Sequence, residues 1–340
     1  MNKPTIMFHI TRQRFEQLFV PEAQQRLDEL ANWTGPFEEE PDSTLSAESL
    51  SNVDIVFASH KTKLTAEVIK QSPNLRWIHE GTGHPPDVAY SEAYHNNMTI
   101  THTGNVFSIP VAEMALGLFL TSYRRIIDHN HVLHTYDGQE AEAASMNREA
   151  YGKTAGIIGL GNIGSRLAFL LNSIGMRVIA YDPFLRNNLS AVDMGVTFVE
   201  LADLLSSSDG IFVTASPAPS NEHLLNGSML DLIRSDAVLV SVSRAMLIDH
   251  DALVERLLAG KFRAALDVFP IEPLPPGDPL RGLDNVILIP HRAGGTNEAR
   301  QRMGWDFLRD LEVYLEGSLP IRNFLVTQQI AVERGYMASI

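Results

Sequence analysis

Short, nearly continuous apolar runs recur through the second half of the chain, separated by stretches whose apolar positions repeat at helical spacing. "AGIIG" (155–159), "RVIAY" (177–181), "IFVT" (211–214), "AVLVSV" (237–242), "RAALDVF" (263–269) and "NVILIP" (285–290) are rich in Val, Ile and Phe. Runs without polar alternation predict parallel strands covered on both faces. Between the first two lies "NIGSRLAFLLNSIG", where Ile163, Leu167, Leu170 and Ile174 share one helical face and Gly175 follows as a C-cap. Strand, helix, strand in this rhythm predicts a doubly wound α/β sheet.

The first hundred residues carry a weaker version of the same rhythm. "TIMFHI", "VDIVFAS", "LRWIHEG" and "MTITHTG" read as strands, and "LTAEVIKQ" as a helix between two of them. Two long helical segments bracket the central unit. One runs from about Pro110 to Ile127 and is apolar around most of its circumference; the other runs from about Asn297 to Gly317. They read as bridges between a central domain and a second domain built from both chain ends.

Composition narrows the class. With 340 residues, 44% of them apolar, the chain can form two domains or one large one, with a sizeable core. It has no cysteine, which excludes disulfides and thiolate metal sites and suits a reducing cytoplasm. A formal charge of −14 argues against non-specific nucleic-acid binding, which needs a basic face. "MNKPTIMFHITR" has no long apolar core of the signal-peptide kind, and the run Met114–Leu120 is far short of a membrane span. A soluble cytoplasmic protein is expected.

Chemistry first shows in "GIIGLGNIGSRLA", which places Gly159, Gly161 and Gly164 as G-x-G-x-x-G after a strand and at the mouth of a helix. The first glycine allows the tight turn, the second admits a pyrophosphate to the backbone, and the third lets helix and strand pack closely. The helix N-terminus, with Asn162 and Ile163, offers free N–H groups and a positive dipole end. Alone the pattern is weak, but the strand before it and the helix after it supply the context it needs. The next strand ends in Tyr181-Asp182, 18 residues beyond Gly164, where an acid can bind a ribose 2′-OH and select NAD. The plainer reading of Asp182 is a turn opener before Pro183. Arg186, nearby, would soften repulsion of a 2′-phosphate.

Three ionisable residues follow three successive strands. Arg244 comes two residues after "AVLVSV", Glu272 three after "RAALDVF", and His291 directly after "NVILIP". Parallel strands share one carboxyl edge, and ligands bind in the crevice there. Singly, a surface ion pair, a solvated loop acid and a strand-end histidine are the better readings. Jointly, they are the parts that hydride transfer to a 2-oxo acid requires. A guanidinium holds the carboxylate at two points, an imidazole gives the proton, and an acid beside it keeps the imidazole charged.

From about Leu75 to Gly317 the chain resembles the D-isomer-specific 2-hydroxyacid dehydrogenases, a family that includes phosphoglycerate, hydroxypyruvate and glyoxylate-type enzymes. "GTGHPPD" (81–87), "VAEMALGLFL" (111–120), "YGKTAGIIGLGNIG" (151–164), "YDP" (181–183), "SRAMLIDHDAL" (243–253), "LDVFPIEP" (266–273) and "IPHRAGGT" (289–296) occur in the family's order and spacing. The resemblance implies a Rossmann NAD-binding domain at 108–296 and a flavodoxin-like substrate-binding domain made from 1–107 and 297–340. It implies that Arg244 binds the substrate carboxylate, that His291 is the acid/base and that Glu272 is its partner. Asp267 would contact the nicotinamide carboxamide, and Val242 would lie against the ring. Ser216 and Gly294 would face the cofactor, and Thr82 and Gly83 would offer backbone donors near substrate and cofactor. A homodimer through the cofactor domain follows by the same analogy. For Asp267, a buried acid satisfied by backbone N–H groups is the competing reading.

Some positions depart from the family. Ser241 and Ala245 stand where Asn and Gly are usual, and "TASPAPSNEHLL" (214–225) matches the usual loop only loosely. His84 and Arg292 occupy positions usually apolar, and Lys61 lies in a loop that borders the substrate in the family. These three either receive a second anionic group or are solvated surface; the residues leave both open. Formate and phosphite dehydrogenases share the cofactor fold, and Glu272 counts against the formate type. A dinucleotide-sensing co-regulator is the alternative from another class, weakened by the lack of a basic or disordered arm.

Overall fold

The computed structural model describes residues 3–39, 44–81, 86–135, 148–185, 191 and 193–337. The chain divides into two compact units, residues 1–107 with 296–340, and residues 108–295.

The first unit is built on a six-stranded sheet of β1 (Thr5–His9), β2 (Asn32–Thr34), β3 (Ile55–Ala58), β5 (Trp77–Glu80), β7 (Thr99–His102) and β15 (Phe324–Leu325). Two further short strands, β4 (Lys63–Leu64) and β6 (Asp87–Val88), pair with each other. The sheet order is β2-β1-β3-β5-β7-β15, parallel throughout except for β15 at the edge. Counting its parallel strands along the chain gives 2-1-3-4-5, the flavodoxin-like order. Successive side chains alternate between faces, as the strand period demands. Phe8, Phe57 and Trp77 join Phe15, Phe19 and Phe307 in an aromatic layer, while Val56, Ile78 and Ile100 face Leu64 and Ala93 on the other side.

Two contacts decide how the C-terminal segment docks on this sheet. Gly304, in the helix Asn297–Leu315, has no side chain to separate it from the carbonyl of Leu18; a Cβ there would collide with that oxygen. Asp310, fully buried, accepts from the backbone N–H groups of Ile321, Arg322 and Asn323 at 2.8 Å each and from Asn323 Nδ2 at 2.9 Å. A carboxylate with four donors tolerates burial, and it turns the chain back to add β15.

The second unit holds a seven-stranded, fully parallel sheet of β8 (Thr154–Ile158), β9 (Arg177–Tyr181), β10 (Val196–Phe198), β11 (Gly210–Val213), β12 (Val238–Ser241), β13 (Arg263–Leu266) and β14 (Val286–Leu288). The order β10-β9-β8-β11-β12-β13-β14 is the doubly wound 3-2-1-4-5-6 with a seventh strand added. The order reverses between β8 and β11, so the crevice opens at the carboxyl end of β8.

Three expectations change in detail. The helix predicted from Pro110 to Ile127 runs from Ser108 to Tyr123 and breaks at Arg125, whose φ of 52° is left-handed; a second helix, Ile126–Thr135, follows. The Asn162–Ser173 helix buries Gly164, Leu167, Ala168 and Leu171 rather than the face through Ile163, Leu170 and Ile174. Its two small residues turn toward the sheet because the helix lies against Gly159, and that rotates the apolar face. Strand β13 stops at Leu266, leaving Asp267 just beyond it.

The stretch Gly104–Tyr123 is long and apolar enough to cross a membrane by composition, yet half of it is buried inside the protein. Phe119 lies within it, with its ring 5.4 Å from that of Phe212, and a Cβ on Gly210 would stand 2.6 Å from it. This is how a core helix of an α/β sheet packs.

Candidate active site

The glycine loop separates the three tasks expected of it. Gly159 has φ +90°, and a Cβ there would strike the backbone of Ala215. On Gly164 it would strike Gly159 O. On Gly161 it would meet nothing within 4 Å. Two glycines are therefore demanded by the protein's own packing, whereas the third keeps open a space that packing does not use. That space lies at the N-terminus of a 12-residue helix, beside the free N–H groups of Ile163 and Gly164. A pyrophosphate fits there, so the residues present suit a dinucleotide.

Asp182 follows β9 and combines both readings of its role. Oδ2 accepts from Leu160 N at 2.9 Å, tying the acid to the glycine loop, and Oδ1 accepts from Phe184 N at 3.0 Å, the turn-opening bond. Each oxygen keeps a lone pair, and the residue is half-buried, so ribose hydroxyls can still be bound.

Arg244, Glu272 and His291 follow β12, β13 and β14 at the same sheet edge. His291 Nδ1 is 2.7 Å from Glu272 Oε2. Since a carboxylate accepts, Nδ1 carries the proton and Nε2 is left for other partners. Glu272 Oε1 accepts from Phe269 N at 3.0 Å, which holds the acid from its other side. His291 itself has φ +52°, a left-handed conformation that a non-glycine residue keeps only when its surroundings impose it.

What imposes it is Asp267. Its carboxylate, 1% exposed, accepts from Arg292 N at 2.7 Å and Ala293 N at 3.1 Å, directly after the histidine. Burial pushes the Asp267 pKa up; those two N–H groups and His291 oppose the rise. The acid that the resemblance sets at the nicotinamide is engaged here by the protein's own backbone N–H groups. Its burial is the reason: a carboxyl group shut away from water takes the nearest donors. Arg244 is half-buried, with Nη1 donating to Ser243 O at 2.9 Å. Val242 is buried, Gly294 half-buried, and Ser216 and Arg292 exposed.

In the other unit, Lys61 is exposed in the loop after β3. Thr82, Gly83 and His84, like Arg186, lie outside the described residues. Sequence reasoning passed over Arg14, in the helix Arg12–Leu18, whose Nη2 donates to Gly81 O at 3.5 Å. The available signal was its place just past β1, on the carboxyl edge of a parallel sheet.

Residues 116–293 match the family model described as "D-isomer specific 2-hydroxyacid dehydrogenase, NAD binding domain". The chain belongs to this family. A glyoxylate reductase of Thermofilum pendens is 36% identical over 261 residues, 76% of this chain and 77% of the relative. A hydroxypyruvate reductase of Thermotoga maritima is 31% identical over 267 residues, 77% of this chain and 85% of the relative. The crystal structure of a phosphoglycerate oxidoreductase from Rhizobium etli superposes with a TM-score of 0.80 at 28% identity, covering 96% of this chain and 99% of that one. This D-2-hydroxyacid dehydrogenase is accordingly an NAD-dependent oxidoreductase, with the α/β fold and the cofactor that its sequence predicts.

Proposed function

We propose that this dehydrogenase reduces small 2-oxo acids to D-2-hydroxy acids, with His291 as proton donor, Glu272 as its partner and Arg244 as the carboxylate clamp. Relatives named glyoxylate reductase and hydroxypyruvate reductase support acids of two or three carbons. The observation that carries the reading is the 2.7 Å contact between His291 and Glu272 at the carboxyl edge of the NAD-binding sheet. NADH, when bound, supplies the hydride. His291, as imidazolium, delivers a proton from Nε2 to the carbonyl oxygen, and Glu272 keeps the ring aimed by holding Nδ1–H. In the reverse direction neutral Nε2 takes the hydroxyl proton. Arg244 receives the acid's carboxylate through its planar fork. Asp267 fixes the turn that carries His291. The 108–295 unit is the cofactor domain in this reading.

NADH oxidation measured with glyoxylate, hydroxypyruvate and longer 2-oxo acids tests the activity. Failure of every 2-oxo acid would overturn it. Arg244→Lys tests the clamp, since it keeps the charge but loses the fork; kcat/KM should fall steeply while NADH still binds.

The same reading takes the enzyme as a cytoplasmic homodimer. The absence of cysteine fits that compartment, and the exposed apolar residues Ile126, Ile127 and Leu133 on one helix of the cofactor unit fit a subunit contact. Sedimentation equilibrium tests the dimer.

A further inference from the structure

The glycine turn and Arg244 are joined by one loop, Thr214 to Leu225, which follows β11 inside the 108–295 unit. Its first residues are the floor of the turn. Thr214 Oγ1 donates to Gly159 O at 2.7 Å, and Gly159 lies so close to Ala215 that a Cβ on it would strike that backbone. In close packing of this kind, a shift of the turn carries Thr214 and Ala215 with it.

The same loop grips the segment around Arg244 from both sides. Before the arginine, the buried Ser243 bonds Ala215 O through its hydroxyl; a carbonyl only accepts, so the hydroxyl proton is committed there. After the arginine, His223 N donates to Met246 O at 2.8 Å and Leu225 N to Leu247 O at 3.0 Å. His223 makes its bond with φ +50°, a left-handed angle that a non-glycine residue keeps only where its attachments impose it. Arg244 Nη1 in turn donates to Ser243 O at 2.9 Å. Ser243 therefore holds the floor of the phosphate loop with its side chain and the guanidinium with its carbonyl.

We infer that Ser243 is a positioning residue that relays occupancy of the glycine loop, through Ala215, to the fork of Arg244, so that dinucleotide and substrate carboxylate each bind more tightly in the other's presence. The inference rests on the proposed 2-oxo acid reductase activity, in which Arg244 holds the carboxylate. Ser243 touches no reacting atom in this role and acts through KM. By linkage, both affinities change by one common factor, which a titration reads directly. A chain of contacts becomes a route of coupling only when breaking it removes that factor.

The test titrates NADH by fluorescence with and without saturating oxamate, a 2-oxo acid analogue that is not reduced. It uses the parent, Ser243→Ala, Ser243→Thr and Ser165→Ala proteins, beside glyoxylate and hydroxypyruvate turnover and thermal melts. Oxamate should tighten NADH binding at least about 5-fold in the parent, the lower end of ordinary coupling. Ser243→Ala should cut that factor below about 2-fold and raise the glyoxylate KM roughly 3- to 10-fold, as loss of one hydrogen bond does, at near-parental kcat. Ser243→Thr keeps the hydroxyl and should recover most of both. Ser165 is the control: its Oγ donates to Leu160 O at 3.0 Å, in the same glycine loop but without a bond to the Arg244 segment. Ser165→Ala should keep the parent's factor even where NADH binds less tightly. An unfolded Ser243→Thr would leave the two Ala variants to decide. No coupling in the parent, an unchanged factor in Ser243→Ala, or an equal loss in Ser165→Ala would overturn the inference, and with turnover intact the reductase reading would stand. A parent that reduces no 2-oxo acid would overturn both.

Discussion

Glu272 holds His291 with one carboxylate oxygen, at 2.7 Å, and the backbone N–H of Phe269 with the other, at 3.0 Å. The glutamate is thereby anchored before it meets the histidine, so the ring has one preferred orientation. Glu272→Gln offers a single acceptor where two are needed and removes the charge. A charge-assisted bond is about twice as strong as a neutral one, and reductive kcat/KM should fall about 10-fold. His291→Ala should cost roughly 10²–10⁴-fold, the range for a positioned proton donor. Steady-state rates measured beside NADH fluorescence titrations check this. NADH affinity in both variants should stay near the parent's, and a Glu272→Gln enzyme with parental kcat/KM would remove the glutamate from the mechanism.

The glycine loop predicts opposite phenotypes for two similar changes. Gly161→Ala puts a methyl group into space that the fold leaves open, so stability should hold within about 1 kcal/mol while NADH binding weakens. Gly164→Ala drives its methyl into Gly159 O and should destabilise by about 1–3 kcal/mol, as overpacking does. Thermal melts and NADH titrations separate the two. Equal stability losses would mean that Gly161 is also a packing residue.

Asp182 should set the coenzyme. Its oxygens hold Leu160 N and Phe184 N, and the negative charge so fixed opposes a 2′-phosphate. NADH should exceed NADPH in kcat/KM by at least about 10-fold, and Asp182→Asn should narrow the gap by removing the charge that excludes the phosphate. Comparable efficiencies for the two coenzymes in the parent would show that Asp182 serves the loop alone.

His79 gives a pH prediction. The residue is completely buried among Phe57, Trp77 and Phe307, and burial, helped by nearby His102, pushes its pKa down to about 3. Thr101 Oγ1 accepts from Trp77 Nε1 at 2.8 Å and also hydrogen-bonds His79 Nδ1 at 2.8 Å, while His79 Nε2 has no partner among the described residues. The folded pKa lies below the unfolded one of about 6.5. The unfolded chain therefore binds a proton that the folded chain refuses between these two values. His79 contributes stability that is whole above a pH of about 6.5 and is lost as the pH falls toward about 3, by about 1.4 kcal/mol for each pH step of one. Urea unfolding between those limits should show this slope, and His79→Phe should flatten it. A variant with the parent's slope would place the acid sensitivity elsewhere.

Much of this molecule was legible along the chain because its chemistry is local. The runs of Val, Ile and Phe marked six of the seven strands of this sheet, since strands buried on both faces admit few polar residues, and missed the short edge strand Val196–Phe198. The spacing Gly159, Gly161, Gly164 marked the phosphate loop, because a turn against a helix N-terminus is made within a few residues. Arg244, Glu272 and His291 could be placed on one edge because parallel connection sends every strand's carboxyl end the same way. The breaks and rotations were not legible. Arg125 stops an apolar helix through its own backbone angle, and the Asn162–Ser173 helix turns Gly164 and Ala168 to the sheet because Gly159 lies beneath them.

Tertiary structure alone decided which partners the charged groups take. The chain shows Asp267 among apolar residues but not that Arg292 and Ala293, 25 and 26 residues later, turn their N–H groups onto it. It shows Asp310 in a helix but not the returning strand that the acid holds. It leaves Leu18 and Gly304 far apart, and they meet because a glycine lets one helix rest on the end of another. A residue's type and its neighbours in sequence set what it can bind, whereas burial removes water from the competition, and only the folded chain determines which groups it buries together.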